Sequence, residues 1–193
     1  MFHVKQFEKM IRTANLKDAE HIAKIYRPYV EKTAITFEYE PPSKEEMARR
    51  IEKTLERYPY LVFEENEEVS GYAYAGEYKE RAAYAWAAEV SVYVREDSRG
   101  KGIGKSLYTE MEKILAAQNI LNLYACITVE RKEDRSASMV FHEHMGYELI
   151  GRLHYSGNKF GKWYDTVYME KMLREHFENP PEVIPFEDLC QYL

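Results

Sequence analysis

Glu89-Val90-Ser91-Val92-Tyr93-Val94, followed closely by Arg99-Gly100-Lys101-Gly102-Ile103-Gly104-Lys105-Ser106, is the stretch whose reading decides the fold. The valines alternate with Glu89, Ser91 and Tyr93, so they take one side of a strand and the polar residues take the other. The alternate glycines predict a sharp turn with no Cβ between its amides and a ligand. The helix beginning there aims unpaired N–H groups at the same point, which suits a phosphate or diphosphate. Arg99, Lys101 and Lys105 add positive charge for a polyanionic ligand.

Several phosphate motifs, and a plain bend, compete for this turn. A P-loop requires glycine five residues before Gly104, and Arg99 stands there. A dinucleotide fingerprint requires G-x-G-x-x-G and an acidic residue on the next strand. The glycines instead fall as G-x-G-x-G, and Leu121 to Val129 carries no acid. What remains is R-x-x-G-x-G after a V-x-V strand, or an ordinary glycine-rich strand-to-helix turn.

The chain's 193 residues are enough for one sizeable core. A formal charge of −6 and no Lys/Arg run argue against nucleic acid as a partner. Cys126 and Cys190 form no disulfide framework, and no His/Cys spacing predicts a metal site. No run approaches the roughly 20 apolar residues of a membrane span. The expected setting is a reducing cytoplasm.

Outward from the turn, the elements fall in a clear order. Residues 1–9 read as an N-terminal extension, and Ile11 to Ala14 as an opening strand. A helix from Leu16 to Glu31 follows, kinked or ended by Pro28. Ser43 and Glu46 form a capping box for a second helix, whose Met47, Ile51, Leu55 and Tyr58 share a face. Tyr60 to Glu65 and Val69 to Glu77 flank Asn66-Glu67 as an antiparallel hairpin. A charged loop with Lys79 and Arg81 leads into the valine strand. The helix after the turn places Ile103, Leu107, Met111, Ile114 and Leu115 on one face. It feeds a strand at Leu121 to Val129, predicted to lie parallel to the valine strand. A helix over Ser136 to Met145, capped by Asp134 and stopped by Gly146, precedes strands at Tyr147 to His154 and Lys162 to Met172. Residues 174–193, with Pro180, Pro181 and Pro185, read as a tail without regular helix.

This order resembles the GNAT family of acetyl-CoA-dependent N-acetyltransferases. Thr36-Phe37-Glu38, Gly71-Tyr72-Ala73-Tyr74-Ala75, Ala88-Glu89, Phe141-His142-Glu143 with Gly146-Tyr147, and Gly161-Lys162-Trp163-Tyr164-Asp165 are similar to its phosphinothricin / methionine sulfoximine acetyltransferase branch. The resemblance implies an α/β (α+β) GNAT fold over 10–173, with a mixed sheet of about 6–7 strands and about four helices. It implies acetyl-CoA as cosubstrate and a small amino acid or analogue as acceptor, the alternatives being another amine or a non-catalytic acyl-CoA-binding module. It also implies a homodimer.

Site roles follow from the same resemblance. The main chain of Val92, Tyr93 and Val94 is expected to pair with the pantetheine arm. The turn Arg99, Gly100, Lys101, Gly102, Ile103, Gly104 and Lys105 is expected to hold the diphosphate. Glu89 resembles the general base and His142 a second catalytic residue. Arg135 stands where the family commonly has Asn, with Ser138 kept, so Arg135 is expected to reach a phosphate. Phe37 is expected to wall the acceptor pocket, Arg81 (Lys79 second) to meet the acceptor's anion, and Trp163 to complete a neighbouring subunit's pocket. Tyr93, Tyr124 and Tyr147 remain equal choices for an acid.

Overall fold

A computed structural model describes residues 9–132 and 135–189. The expected extension over 1–9 lies outside these residues except for Lys9, which opens strand β1 (Lys9–Thr13). The sheet continues with β2 (Tyr60–Glu65), β3 (Glu68–Glu77), β4 (Ala87–Val94), β5 (Asn122–Val129), β6 (Glu148–Lys159) and β7 (Lys162–Met172). These seven strands lie in the order β1-β2-β3-β4-β5-β7-β6. Only the central pair β4/β5 is parallel. The helix α3 (Ile103–Ala117) crosses between these two strands, as the β-α-β reading requires.

Helical layers cover the two faces. On one, α3 and α4 (Ala137–His144) meet a core containing Val90, Leu107, Met111, Leu115, Leu123, Ile127 and Met169. On the other, α1 (Ala19–Lys32) and α2 (Lys44–Arg57) bury Ile22, Tyr26, Tyr29 and Ile51 against Val62, Tyr72 and Tyr93. Each side chain of leucine size contributes about 1.5–3 kcal/mol when fully buried. That packing explains why α1 runs on through Pro28 rather than stopping: Tyr26, Tyr29 and Val30 pin the turns on both sides of it.

Local signals set several boundaries. Asn66 and Glu67, both at positive φ (54° and 66°), make the tight β2–β3 turn. The Ser43 hydroxyl accepts from the Glu46 amide, but the Glu46 carboxylate turns to Arg49 and Arg50, so only half of the capping box forms. Ser136 caps α4, and Asp134, expected there, lies outside the described residues. Strand β6 extends five residues past the expected His154, through Gly157 to Lys159. Its path bends at a register shift between Leu153 and Gly157. The buried Asp165 carboxylate anchors that bend, accepting from the Tyr155 amide at 2.8 Å and from Arg152 Nε at 2.8 Å. These donors, the amide first, hold its pKa at about 2.

The tail differs from the expectation by containing a short helix, α5 (Phe186–Leu189), with Phe186 buried. Before it the chain is strapped across the molecule. Trp86 Nε1 donates to the Pro181 carbonyl at 2.8 Å, and Gln118 Nε2 to that of Ile184 at 2.7 Å.

Candidate active site

Strands β4 and β5 pair only from Ala87–Asn122 to Glu89–Tyr124, although both run on. Beyond Glu89, β5 stays with β7 as far as Val129–Asp165, while β4 stays with β3 as far as Gly71–Val94. The opening needs no register shift in β4. It is a divergence of the two halves of the sheet. The cleft is lined by Val90, Val92, Ala125, Ile127, Tyr108 and His142.

Which main-chain groups face this cleft follows from strand alternation. The Arg95 amide bonds to Ser70 of the β3 side, so the odd-numbered residues of β4 turn their groups to β3 and the even ones turn away. Val92 therefore offers its N–H and C=O groups to the cleft and Val90 its C=O, the Val90 N–H being taken up in the Glu89–Tyr124 pairing. Tyr93, expected to pair with a ligand, is committed: its main chain faces β3 and its ring is buried against Tyr26, Tyr29 and Tyr72. Val94 is also occupied, because the Tyr29 hydroxyl donates to its carbonyl at 2.6 Å and accepts from its amide at 3.2 Å. Of the three residues expected to pair with the arm, Val92 alone stands open, with Val90 beside it.

The turn beyond β4 has the anticipated geometry at two of its glycines. Gly100 and Gly102 have φ of 74° and 81°, where a side chain is strained. Gly104 is already inside α3, where an added Cβ would lie 3.4 Å from the Phe141 ring, so its small size serves helix packing. The first intrahelical bond is from the Ser106 amide to the Gly102 carbonyl. The amides of Ile103, Gly104 and Lys105 thus point out of the helix start. Arg99, Lys101 and Lys105 are exposed and form no ion pair among the described residues. Arg135 differs from its expectation, being taken by an ion pair with Glu143 on α4.

Glu89 sits where the strands part, on the face opposite Val90. Its carboxylate is half-buried, with no hydrogen bond or ion pair among the described residues. Burial raises its pKa, opposed by the positive charge of Lys79. Its field reaches Cys126 and Tyr168, so these share its surroundings. Tyr78 stacks on Tyr124, with ring centroids 4.2 Å apart. Lys79 lies over the Tyr78 ring at 5.0 Å. Arg81, the first choice for the acceptor's anion, is exposed at the start of the 3-10 turn Ala82–Tyr84, so Lys79 is the cation felt at Glu89.

His142 belongs to the other face. It is buried, its Nδ1 is 2.7 Å from the Ser138 carbonyl, and its Nε2 is 3.2 Å from the Tyr108 hydroxyl. Burial lowers its pKa. Glu89 and His142 therefore stand on opposite sides of the sheet, with the cleft between them. Ser138 lines the same cleft.

Phe37 is held by an unexpected device. An added Cβ at Gly157 would lie 2.2 Å from its ring, so only glycine lets β6 pass beneath it. Lys159, buried, donates to the carbonyls of Thr33 and Thr36 at 2.8 and 2.7 Å, pinning the same loop. Trp163 is exposed on β7 near Tyr155 and Arg131. Sequence reasoning missed Tyr29, Tyr108, Gly157 and Lys159. Seventeen tyrosines concealed the first two, and Gly157 and Lys159 fall between the strands expected at Tyr147 to His154 and Lys162 to Met172.

A mixed sheet opened at its central parallel pair, beside an amide-lined turn with free cations, is the arrangement that the resemblance to the GNAT N-acetyltransferases implies. The chain matches the acetyltransferase (GNAT) domain over residues 11–168 and belongs to that family. It is 33% identical over 181 residues to the phosphinothricin N-acetyltransferase of Streptomyces viridochromogenes, covering 94% of each chain. It is 32% identical over 165 residues to the L-methionine sulfoximine/L-methionine sulfone acetyltransferase of Pseudomonas aeruginosa, covering 83% of this chain and 92% of that one. The phosphinothricin acetyltransferase of Sinorhizobium meliloti, solved with acetyl-CoA, superposes with a TM-score of 0.84 at 36% identity, over 92% of this chain and 96% of that one. The chain is an acetyl-CoA-dependent N-acetyltransferase, and its open main-chain groups, outward amides and unpaired cations fit that cosubstrate. Among the described residues no helix is long and apolar enough to cross a membrane, and no group of three or more metal-ligating side chains gathers.

Proposed function

We propose that the chain acetylates the amine of a small amino acid or analogue of the phosphinothricin or methionine sulfoximine/sulfone type, with Glu89 as general base. The observation that carries this is the half-buried, unpaired Glu89 carboxylate at the point where the strands part. A free amine with a pKa near 10 is almost wholly protonated at neutral pH and must lose a proton before it can attack. Burial makes Glu89 a stronger base than a solvated carboxylate. It takes the ammonium proton, directly or through a water, as the C–N bond forms. The open Val92 amide stabilises the oxyanion, leaving the carbonyls of Val90 and Val92 for the coenzyme's arm. The C–S bond then breaks, the nitrogen sheds its second proton as the amide forms, and the coenzyme thiolate, with a thiol-like pKa near 8.5, takes that proton up through water.

The acceptor class rests on the names of the relatives. Lys79, within the field of Glu89, suits the acceptor's acidic group, with Arg81 as the outer cation; Phe37 walls the pocket. His142 supports the cleft from the opposite face through Tyr108. Arg99, Lys101, Lys105 and the outward amides hold the diphosphate. The reaction belongs in the cytoplasm, where acetyl-CoA is supplied. A homodimer is supported by the apolar side chains exposed on the β6–β7 hairpin, among them Leu149, Ile150, Leu153, Phe160 and Trp163.

The test is thiol release from acetyl-CoA with phosphinothricin, methionine sulfoximine, methionine sulfone, polyamines and a peptide N-terminus. Turnover should favour the amino-acid analogues, and Glu89→Gln should lower kcat about 10²–10⁴-fold with coenzyme binding intact. Full turnover by Glu89→Gln at neutral pH would remove the base assignment. Preference for the peptide would move the acceptor to protein N-termini.

A further inference from the structure

Tyr29, on α1, belongs to no part of the mechanism above, yet it touches both the last residue of β4 and the first cation of the glycine turn. Its hydroxyl bridges the carbonyl and the amide of Val94, the last residue of β4. Its ring is wedged edge-on against Tyr93, with centroids 5.0 Å apart and an interplanar angle of 79°. The guanidinium carbon of Arg99 lies 4.9 Å from the centre of that ring. Tyr29 is itself buried, while Arg99 is exposed and has no carboxylate partner among the described residues. A long cationic side chain at a turn would otherwise sample many rotamers, at an entropic cost when it is ordered on a ligand.

We propose that Tyr29 is a positioning residue for Arg99: its ring is a fixed platform that holds the guanidinium ready for the coenzyme's diphosphate. The inference rests on reading the glycine turn as the diphosphate cradle. Two hydrogen bonds and the Tyr93 contact fix the ring, and the fixed ring restricts the cation. A guanidinium stacked on an aromatic face keeps its N–H edge free, so one group can stack and also donate to phosphate oxygens. The hydroxyl has a second effect. It ends the open edge of β4 at Val92, so a pantetheine arm pairing along β4 stops short of the turn, where Arg99 and the helix amides begin.

Calorimetric titration of the full chain with coenzyme A, and with pantetheine as the same arm without its diphosphate, tests this. Arg99→Ala and Tyr29→Leu should each weaken coenzyme A binding about tenfold, about 1.4 kcal/mol. The double variant should be no more than about twofold worse than either, because both remove one interaction. Tyr29→Phe keeps the platform and should bind coenzyme A within about twofold of the parent, though with a lower Tm. Pantetheine should bind all four variants and the parent alike. A general folding defect would weaken both ligands together and so count against the proposal. Additive losses in the double variant, or a loss in Tyr29→Phe as large as in Tyr29→Leu, would overturn it. If Arg99→Ala binds coenzyme A as tightly as the parent, the cradle reading fails first, which separates the two failures.

Discussion

His142 Nδ1 lies 2.7 Å from the Ser138 carbonyl oxygen, one turn earlier on α4, and this contact fixes where the imidazole carries its proton. A carbonyl can only accept, so Nδ1 is the protonated nitrogen and Nε2 accepts from the Tyr108 hydroxyl at 3.2 Å. The ring is buried and its pKa is lowered, mainly by desolvation. His142 thus stays neutral where a solvated histidine titrates. The unfolded chain then binds more protons than the native one as pH falls below about 6.5, and stability declines in that range. His142→Phe should abolish this part of the slope in denaturation curves from pH 8 to 5. It should also cost about 1–3 kcal/mol at pH 8 by orphaning the Tyr108 hydroxyl, a loss partly recovered in the double variant with Tyr108→Phe.

Glu89 has the opposite linkage. Its folded-state pKa is raised, so whatever it contributes to stability is present below its unfolded pKa of about 4.3 and lost as pH rises through the folded value. At neutral pH its ionised carboxylate is therefore a liability to the fold. Glu89→Gln should raise Tm at pH 8 by a few degrees while cutting turnover, with the difference shrinking toward pH 4. A variant melting at the parent's temperature at pH 8 would contradict the buried, unpaired setting.

Gly157→Ala should act at a distance from Glu89. Its new methyl would meet the Phe37 ring at 2.2 Å, so the ring or β6 must move. Overpacking of this kind costs about 1–3 kcal/mol. In steady-state kinetics the expected signature is a raised KM for the acceptor with the KM for acetyl-CoA unchanged.

Removal of residues 174–193 should lower stability without weakening coenzyme binding. The deletion strips the Pro181 carbonyl from Trp86 and the Ile184 carbonyl from Gln118, and it uncovers the site of Phe186. A buried phenylalanine alone accounts for about 1.5–3 kcal/mol. Thermal melting should show the loss. Coenzyme A titration should stay within about twofold, because none of these contacts reaches the cleft.

The fold was legible wherever periodicity and turn chemistry agreed. Val90, Val92 and Val94 marked the central strand, Asn66-Glu67 the hairpin, and Gly100 with Gly102 the start of α3. The site was legible only where a motif carried it. Tyr29 and Tyr108 sit at helical spacing among core residues, and nothing local separates a tyrosine that packs from one that also donates to a main chain 65 residues away. Gly157 and Phe37 are far apart in sequence, so their contact exists only after β6 folds beneath the α1–α2 loop. Arg135 looked available because its partner, Glu143, comes into reach only across the first turns of α4. Pro28, expected to kink or end the first helix, does not end it: α1 runs to Lys32, close to the expected boundary, because the local penalty is outweighed by the burial of Tyr26, Tyr29 and Val30.

The short parallel pairing of β4 with β5 makes the middle of the sheet a seam. On the proposed reading, a thioester arm laid along Val90 and Val92 would close it like a clasp, supplying main-chain partners that β4 and β5 withhold from each other there. Resistance of the whole chain to unfolding should then rise with the concentration of free coenzyme, by mass action. Amide exchange at Val92 would be rapid in the apo protein and slow in the complex, so the sheet's central cohesion would follow occupancy by the coenzyme.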